Sequence, residues 1–215
     1  FALFICFHCC FSKMFQCTYG ADLVAVIGND LLDILRQTFI EIFSPVVIQQ
    51  QISQIATASV LHDVGKIAIP DYVLNKPGKL TPEEFKLMQQ HPVKGCELLN
   101  RIPNFHNDPL YAYSYDICRW HHERWDGRGY SDGLAGEEIP LCARIMAVAD
   151  VFDAVAERRC YKPAMPMDEC FDIIRQGKGT SFDPRIVEVF LENRAQVERV
   201  HETFTVGVSA VFISG

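Results

Sequence analysis

The chain has 215 residues, 49% of them hydrophobic and 22% charged, with a formal net charge of -7. This composition supplies a core of ordinary size and excludes a disordered chain. The acid excess excludes wholesale docking along a nucleic-acid polymer, which needs a basic face, so an anionic ligand would have to meet local cations or bound metal.

Cysteines stand at positions 6, 9, 10, 17, 96, 118, 142, 160 and 170, four of them crowded at the N-terminus and the others scattered singly. That spacing is not the dense framework of a small secreted domain, so a reducing, cytoplasmic setting is expected. The opening run FALFICFHCCF has 11 residues and contains His8. A membrane span needs about 20 apolar residues, so no span is expected. The chain begins at Phe1 rather than Met, which fits a fragment or a shifted start. Residues 1–26 are set apart as an N-terminal segment of unassigned status.

Helical periodicity runs from residue 27 onward. Ile27, Leu31, Leu35, Phe39 and Ile42 mark one face of an amphipathic helix, which Ser44-Pro45 breaks. Ile48, Ile52, Ile55, Ala56 and Val60 predict a second helix, which delivers His62 and Asp63 at its C-terminal end. In the stretch IPDYVLNKPGKL that follows, Pro70, Pro77 and Gly78 argue against regular structure. Thr81 then predicts a helix cap, with Pro82 at the first helical position and Glu84 completing a capping box. Further helices are expected over roughly 109–122 and 139–157, with a glycine-rich loop between them. Asp183-Pro184 opens a last helix with Ile186, Val187, Phe190 and Leu191 on its buried side. Strand signals are weak throughout, so the fold class is read as all-α.

Residues of metal-ligand type sit in four places: His62-Asp63, His91, His121-His122 and Asp150. Imidazole and carboxylate together suit iron, manganese or zinc, and a mixed set of this size suits more than one ion. Adjacent histidines cannot both point the same way on a regular helix. His121 and His122 must therefore sit at a helix end or serve different ions. Taken singly, His91 reads more readily as a surface or helix-cap residue than as a ligand, and Asp150 as a cap.

Together, LHDVGKIAIPDYVLNKPGKLTPEEF, QQHPVKG, HHERWDGRGY, ARIMAVADVFDAV and RRCYKPAM resemble, in order and spacing, the HD-GYP branch of the HD phosphohydrolases. The resemblance covers about residues 52 to 194. It implies an HD-domain helical bundle around a central metal site, with the domain at 27–198 and a C-terminal tail at 199–215. It also implies two or three divalent ions, commonly iron or manganese, and hydrolysis of a cyclic dinucleotide such as cyclic di-GMP to a linear dinucleotide or GMP. By the same resemblance, His62, Asp63, His91, His121, His122 and Asp150 are metal ligands. His62, Asp63 and Lys66 would be catalytic, and Lys66, Arg159 and Lys162 would contact substrate phosphate. Gly129 and Tyr130 belong to the substrate-side loop, and Cys160 is read as packing. Family members carry receiver, sensory or diguanylate-cyclase domains, so such domains are the signalling partners implied.

Two features depart from the family pattern. The loop reads Gly129-Tyr130-Ser131 where the family has Gly-Tyr-Pro, which frees a backbone dihedral and restores an N–H. The family also carries a further His about 40 residues before the HD pair, where this chain reads CTYGADLVAVIGNDLL. Asp22 and Cys17 are the nearest substitutes, and His8 lies outside the expected spacing. The alternative reading is a catalytically degenerate HD-GYP module that senses a nucleotide or docks onto a signalling partner. A third is an HD hydrolase for another phosphorylated nucleotide, cyclic GMP-AMP included.

Overall fold

The computed structural model describes residues 49–156 and 165–201. The first predicted helix, the N-terminal segment with His8, Cys17 and Asp22, and the positions Arg159, Cys160 and Lys162 lie outside the described residues. Within them the chain runs through α1 (Gln49–Ser59), a 3-10 turn (Val64–Ala68), α2 (Asp71–Leu74), α3 (Pro82–Met88) and α4 (His91–Arg101). It continues through α5 (Leu110–Trp120), α6 (Leu141–Ala156), α7 (Met167–Gln176) and α8 (Pro184–Glu192). Backbone over 194–201 is helical too, so α8 is not the last helix. Among the described residues there is no β-strand, only an isolated bridge between Lys178 and Phe182. The all-α expectation holds.

The centre of the fold is α6. Cys142, Ala143, Ile145, Met146, Val148, Ala149, Phe152, Val155 and Ala156 are all buried along it. A helix apolar on nearly every side belongs inside a bundle, and α5, α7 and α8 pack against it. Phe152, Phe171 and Phe190 form an aromatic triangle with centroids 5.1 to 5.5 Å apart. Truncating one such ring costs about 3–5 kcal/mol. α1 lies against α5, and α4 against both α5 and the 3-10 turn. The ends of α1, α3 and α5 thus converge beside α6.

The predicted capping box is present. Thr81 accepts from the Glu84 N–H, and the Glu84 carboxylate accepts from the Thr81 N–H at 2.7 Å. Asp183 caps α8 as expected, accepting from the Arg185 N–H at 2.8 Å. Two expectations need correction. Val60, expected in the second helix, lies past the end of α1 and is 41% exposed. The stretch after Ile69 was read as irregular, yet Asp71–Leu74 form one helical turn that buries Val73 and Leu74. Pro70 stands just before that turn, where its missing N–H costs nothing, and only the segment around Pro77 and Gly78 stays irregular.

Candidate metal centre

The HD pair is placed by the way α1 stops. After Ser59 the backbone tightens, with the His62 N–H donating to the Ser59 carbonyl at 3.1 Å, and Asp63 opens the 3-10 turn. The turn then passes so close to α4 that a Cβ on Gly65 would lie 1.9 Å from the His91 carbonyl oxygen and 2.4 Å from the Gly95 nitrogen. Only glycine fits there, and its absence of a side chain lets His91 approach Asp63. One residue on, Lys66 is buried and folds back to ion-pair with the Asp63 carboxylate.

Three ligand-type rings are aimed by helix ends. His62 Nδ1 lies 2.8 Å from the Ser59 carbonyl, at the close of α1. His91 Nδ1 lies 2.8 Å from the Met88 carbonyl, at the close of α3, and His121 Nδ1 lies 2.9 Å from the Ile117 carbonyl in the last turn of α5. Carbonyls at a helix end carry the negative end of the helix dipole, and the Ser59 and Ile117 oxygens, which each accept one backbone N–H, keep a second lone pair for the ring. A carbonyl can only accept, so each Nδ1 carries a proton toward it, and Nε2 is the atom that each ring turns to the cluster. Such anchoring of the far ring nitrogen is how proteins orient metal-ligating histidines.

The Nε2 atoms converge. One ligand atom from each of Asp63, His91, His121 and His122 lies within 4.8 Å of the other three. His91 Nε2 stands 3.2 Å from Asp63 Oδ1 and 3.5 Å from His121 Nε2. Two imidazole nitrogens facing each other beside a carboxylate form a donor set of the kind that takes a cation. A second group lies on the other side of Asp63, with His62 Nε2 at 3.2 Å from Asp63 Oδ2 and 3.9 Å from Asp150 Oδ1. The donor chemistry of the first group fits a divalent metal. The first gathers four protein ligands; the second gathers His62, Asp63 and Asp150.

The electrostatics separate the two groups. Burial opposes the charge on Asp63, but Lys66, His62 and His91 overcome it and hold the carboxyl well below its ordinary value. Burial, with the neighbouring histidines adding to it, pushes His121 and His122 well below the imidazole range, so both stay neutral. For His62, burial works the same way but is outweighed by Asp63 and Asp150, and its pKa rises. Burial raises Asp150, with His62 pulling against it.

The glycine-rich loop closes over this cluster. Tyr130 packs on His122 with ring centroids 4.9 Å apart, and its N–H donates to the His122 carbonyl at 3.3 Å. Its hydroxyl is buried and has no hydrogen-bond partner among the described residues. Burial first, then the Asp150 and Asp63 carboxylates, push the phenol pKa upward, so it stays protonated. Gly129 is required where it stands: a Cβ there would sit 2.4 Å from the Arg124 nitrogen and 2.5 Å from Glu123 Cα.

All the predicted site residues within the described part thus meet in one place: His62, Asp63, Lys66, His91, His121, His122, Gly129, Tyr130 and Asp150. Arg159 and Lys162 lie outside it. His121 follows the last residue of α5, which resolves the adjacent-histidine constraint by the helix-end route while both rings join one ligand group. Sequence reasoning gave no role to Glu123, although it sits beside the histidine pair inside the quoted HHERW stretch and is buried.

Residues 48–186 match the HD domain family. The chain is 48% identical over 157 residues to the cyclic di-GMP phosphodiesterase response regulator RpfG of Xanthomonas campestris pv. campestris, covering 73% of this chain and 40% of that protein. It is 45% identical over 150 residues to a cyclic di-GMP phosphodiesterase of Thermotoga maritima, covering 70% and 40%. It is 43% identical over 145 residues to the 3'3'-cGAMP-specific phosphodiesterase 2 of Vibrio cholerae, covering 67% and 27%. The chain therefore spans at most 40% of the length of these curated relatives. Among solved structures, an HDG"Y"P protein from Bdellovibrio bacteriovorus aligns with a TM-score of 0.58 at 17% identity, covering 76% of this chain and 49% of that one, a likeness of fold. The helical bundle, the HD pair at the end of α1 and the match over residues 48–186 together identify the chain as a member of the HD-domain family.

Proposed function

We propose that this chain is a metal-dependent phosphodiesterase that hydrolyses a cyclic dinucleotide, with cyclic di-GMP as the first substrate to test. The observation that carries the reading is the four-residue group of Asp63, His91, His121 and His122, in which the His91 and His121 rings are fixed by main-chain carbonyls. The printed names of the relatives support it, since they describe phosphodiesterases for cyclic di-GMP and for 3'3'-cGAMP. Because both substrates occur among them, the base preference is left to experiment.

In this reading Asp63, His91, His121 and His122 hold one divalent ion, and His62, Asp63 and Asp150 hold a second, with iron or manganese as the expected metals. Such ions neutralise charge on a phosphodiester and bring the pKa of water towards about 7. The side chains do the rest. Asp63 stays ionised and faces both groups, while His121 and His122 stay neutral and available as ligands. Lys66, a buried cation beside Asp63, is positioned to draw a phosphate oxygen in, with Arg159 and Lys162 assigned to the same task. Tyr130, protonated and buried above His122, offers a neutral donor from the loop side. The second group has fewer protein ligands, so we assign it the lower affinity.

We assign the domain to residues 27–198, keep receiver or diguanylate-cyclase domains as candidate partners, and place the reaction in the cytoplasm. No helix among the described residues is long and apolar enough to cross a membrane. Among them Cys96, Cys118, Cys142 and Cys170 are buried free thiols, which suits a reducing compartment. The test is hydrolysis of cyclic di-GMP and of 3'3'-cGAMP by protein loaded anaerobically with Fe(II) or Mn(II), with Asp63→Ala alongside. Metal-dependent product that vanishes in the variant is expected. A folded, loaded protein that cleaves neither would replace the enzyme with a sensor or docking module.

A further inference from the structure

The buried carboxylate of Glu123 has no part in either ligand group, yet it holds the return strand of the loop. Its Oε1 accepts from two successive backbone N–H groups, Asp132 at 2.6 Å and Gly133 at 2.9 Å. The residue is 3% exposed, a rare position for a carboxylate unless it is committed to a structural or functional task. Between His122 and Gly133 the chain runs out and back. It leaves through Arg124 and Trp125, whose N–H donates to the Ser181 carbonyl, and Asp126, whose N–H donates to the Thr180 carbonyl. It comes back at Gly129, pressed against the Glu123 backbone, and at Tyr130, bonded to the His122 carbonyl. Glu123 closes that circuit immediately after Tyr130 and Ser131.

We propose that Glu123 is a positioning residue for the reaction, acting through Tyr130: its double acceptor fixes the loop so that the phenol lies on the His122 ring, with its hydroxyl in the buried space beside the metal centre. This rests on the phosphodiesterase reading and adds to it a residue outside the ligand and phosphate-contacting sets. The need for such an anchor follows from the sequence. Position 131 is serine, whose backbone dihedral is free, so the loop lacks the rigidity that a proline there would impose. Serine does not supply a substitute anchor, because its hydroxyl is buried with no hydrogen-bond partner among the described residues. The two N–H bonds to one carboxylate oxygen do that work instead, and charge-assisted bonds of this kind are stronger than neutral ones.

The experiment is a double-mutant cycle of Glu123→Ala and Tyr130→Phe on the metal-loaded chain, with metal content measured for every variant. Each single change should lower kcat on the order of tenfold or more, as displacement of a reacting group does, with bound metal unchanged. The double variant should be no worse than the weaker single one, because both remove the same positioned hydroxyl. Losses that multiply, or metal loss in Glu123→Ala, would overturn the proposal. Glu123→Gln keeps an oxygen acceptor in place and should restore most of the lost kcat; a loss as deep as that of alanine would also overturn it. This variant carries the test where the alanine variant does not fold.

A second arm is independent of turnover. Acetylation by N-acetylimidazole, mapped by mass spectrometry, should leave Tyr130 protected in the parent and reactive in Glu123→Ala, with the 65% exposed Tyr72 as internal reference. Equal protection of Tyr130 in both proteins would defeat the positioning role. A parent that cleaves neither cyclic dinucleotide would instead defeat the phosphodiesterase reading, while the acetylation arm still judges Glu123.

Discussion

His91 and His121 point their Nε2 atoms at each other across 3.5 Å, while the Nδ1 of each ring is committed to a carbonyl at a helix end. Two ring nitrogens so placed share one small space in which a cation can be held between or beside them. Asp63 Oδ1, 3.2 Å from His91 Nε2, adds a negative charge to the same space. The simplest occupant is a divalent cation.

Asp63 faces both ligand groups, so its loss should be felt by both. Asp63→Ala is expected to strip the metal and to reduce turnover by more than about a hundredfold, in keeping with the loss of a shared ligand. Metal analysis and a turnover assay on the same sample check it. A variant that keeps its metal and its rate would sink the assignment.

Lys66 is the next residue to separate. Lys66→Ala should retain metal while turnover falls on the order of tenfold or more, because a buried cation that meets phosphate acts on the charge that develops in the reaction. Metal loss in this variant would reassign Lys66 to holding the Asp63 carboxylate, with which it is paired.

The contact between Gly65 and α4 leaves no space for a methyl group. Gly65→Ala should push the 3-10 turn away from His91 and destabilise the fold by about 1–3 kcal/mol, the range for overpacking. Metal affinity should fall with it, since the same movement parts Asp63 from His91. Thermal melting and a metal titration report the two effects, and an unchanged melting temperature would contradict the close approach.

The two ligand groups should release metal at different pH. His62 has a raised pKa, so as pH falls it takes up a proton at or above its ordinary value of 6.5, and an ion held by His62 and Asp150 must compete with that proton. His121 and His122 have lowered values and Asp63 lies well below its own, so these three resist protonation further into acid. Metal content followed from about pH 8 to pH 5 is expected to fall in two steps, with the His62 ion lost first, near the imidazole range. A single step, removed only below that range, would mean that the two groups are not distinct.

Arg144 joins the loop to the core. It ion-pairs at 2.6 Å with Asp183, which is 4% exposed, and its guanidinium lies 5.8 Å from the Trp125 ring centroid. Arg144→Ala would leave the carboxylate that caps α8 buried and uncompensated. A loss of about 3–5 kcal/mol is expected in denaturant unfolding. A loss well under that would show that solvent reaches Asp183.

The residues of the candidate site were legible in the sequence as residue types and through the motifs that resemble the family, and the sequence also marks some of the helices that bring them together. Thr81 and Glu84 announce α3, which ends at Met88, three residues before His91 opens α4. What the sequence did not carry is the division of the ligands into a group of four and a group of three around Asp63, because this depends on side-chain directions across separate helices. Glu123 escaped for a different reason. An acid beside two histidines reads as a solvated charge, and its partners are backbone N–H groups with no identity in the sequence. Val60 was misplaced because helical periodicity was extended one residue past the point where the backbone tightens. Ile67, within the apolar-looking KIAI stretch, is 78% exposed because the 3-10 turn there no longer follows the helical period.

The Thr81 capping box lies at the opposite end of α3 from the carbonyl that holds His91. α3 spans only Pro82–Met88, about two turns, and so short a helix forms and frays as one cooperative unit. Its first turn therefore governs whether its last carbonyl is in place. A surface hydroxyl with no contact to the ligand cluster thereby helps to hold the carbonyl against which a buried imidazole is turned.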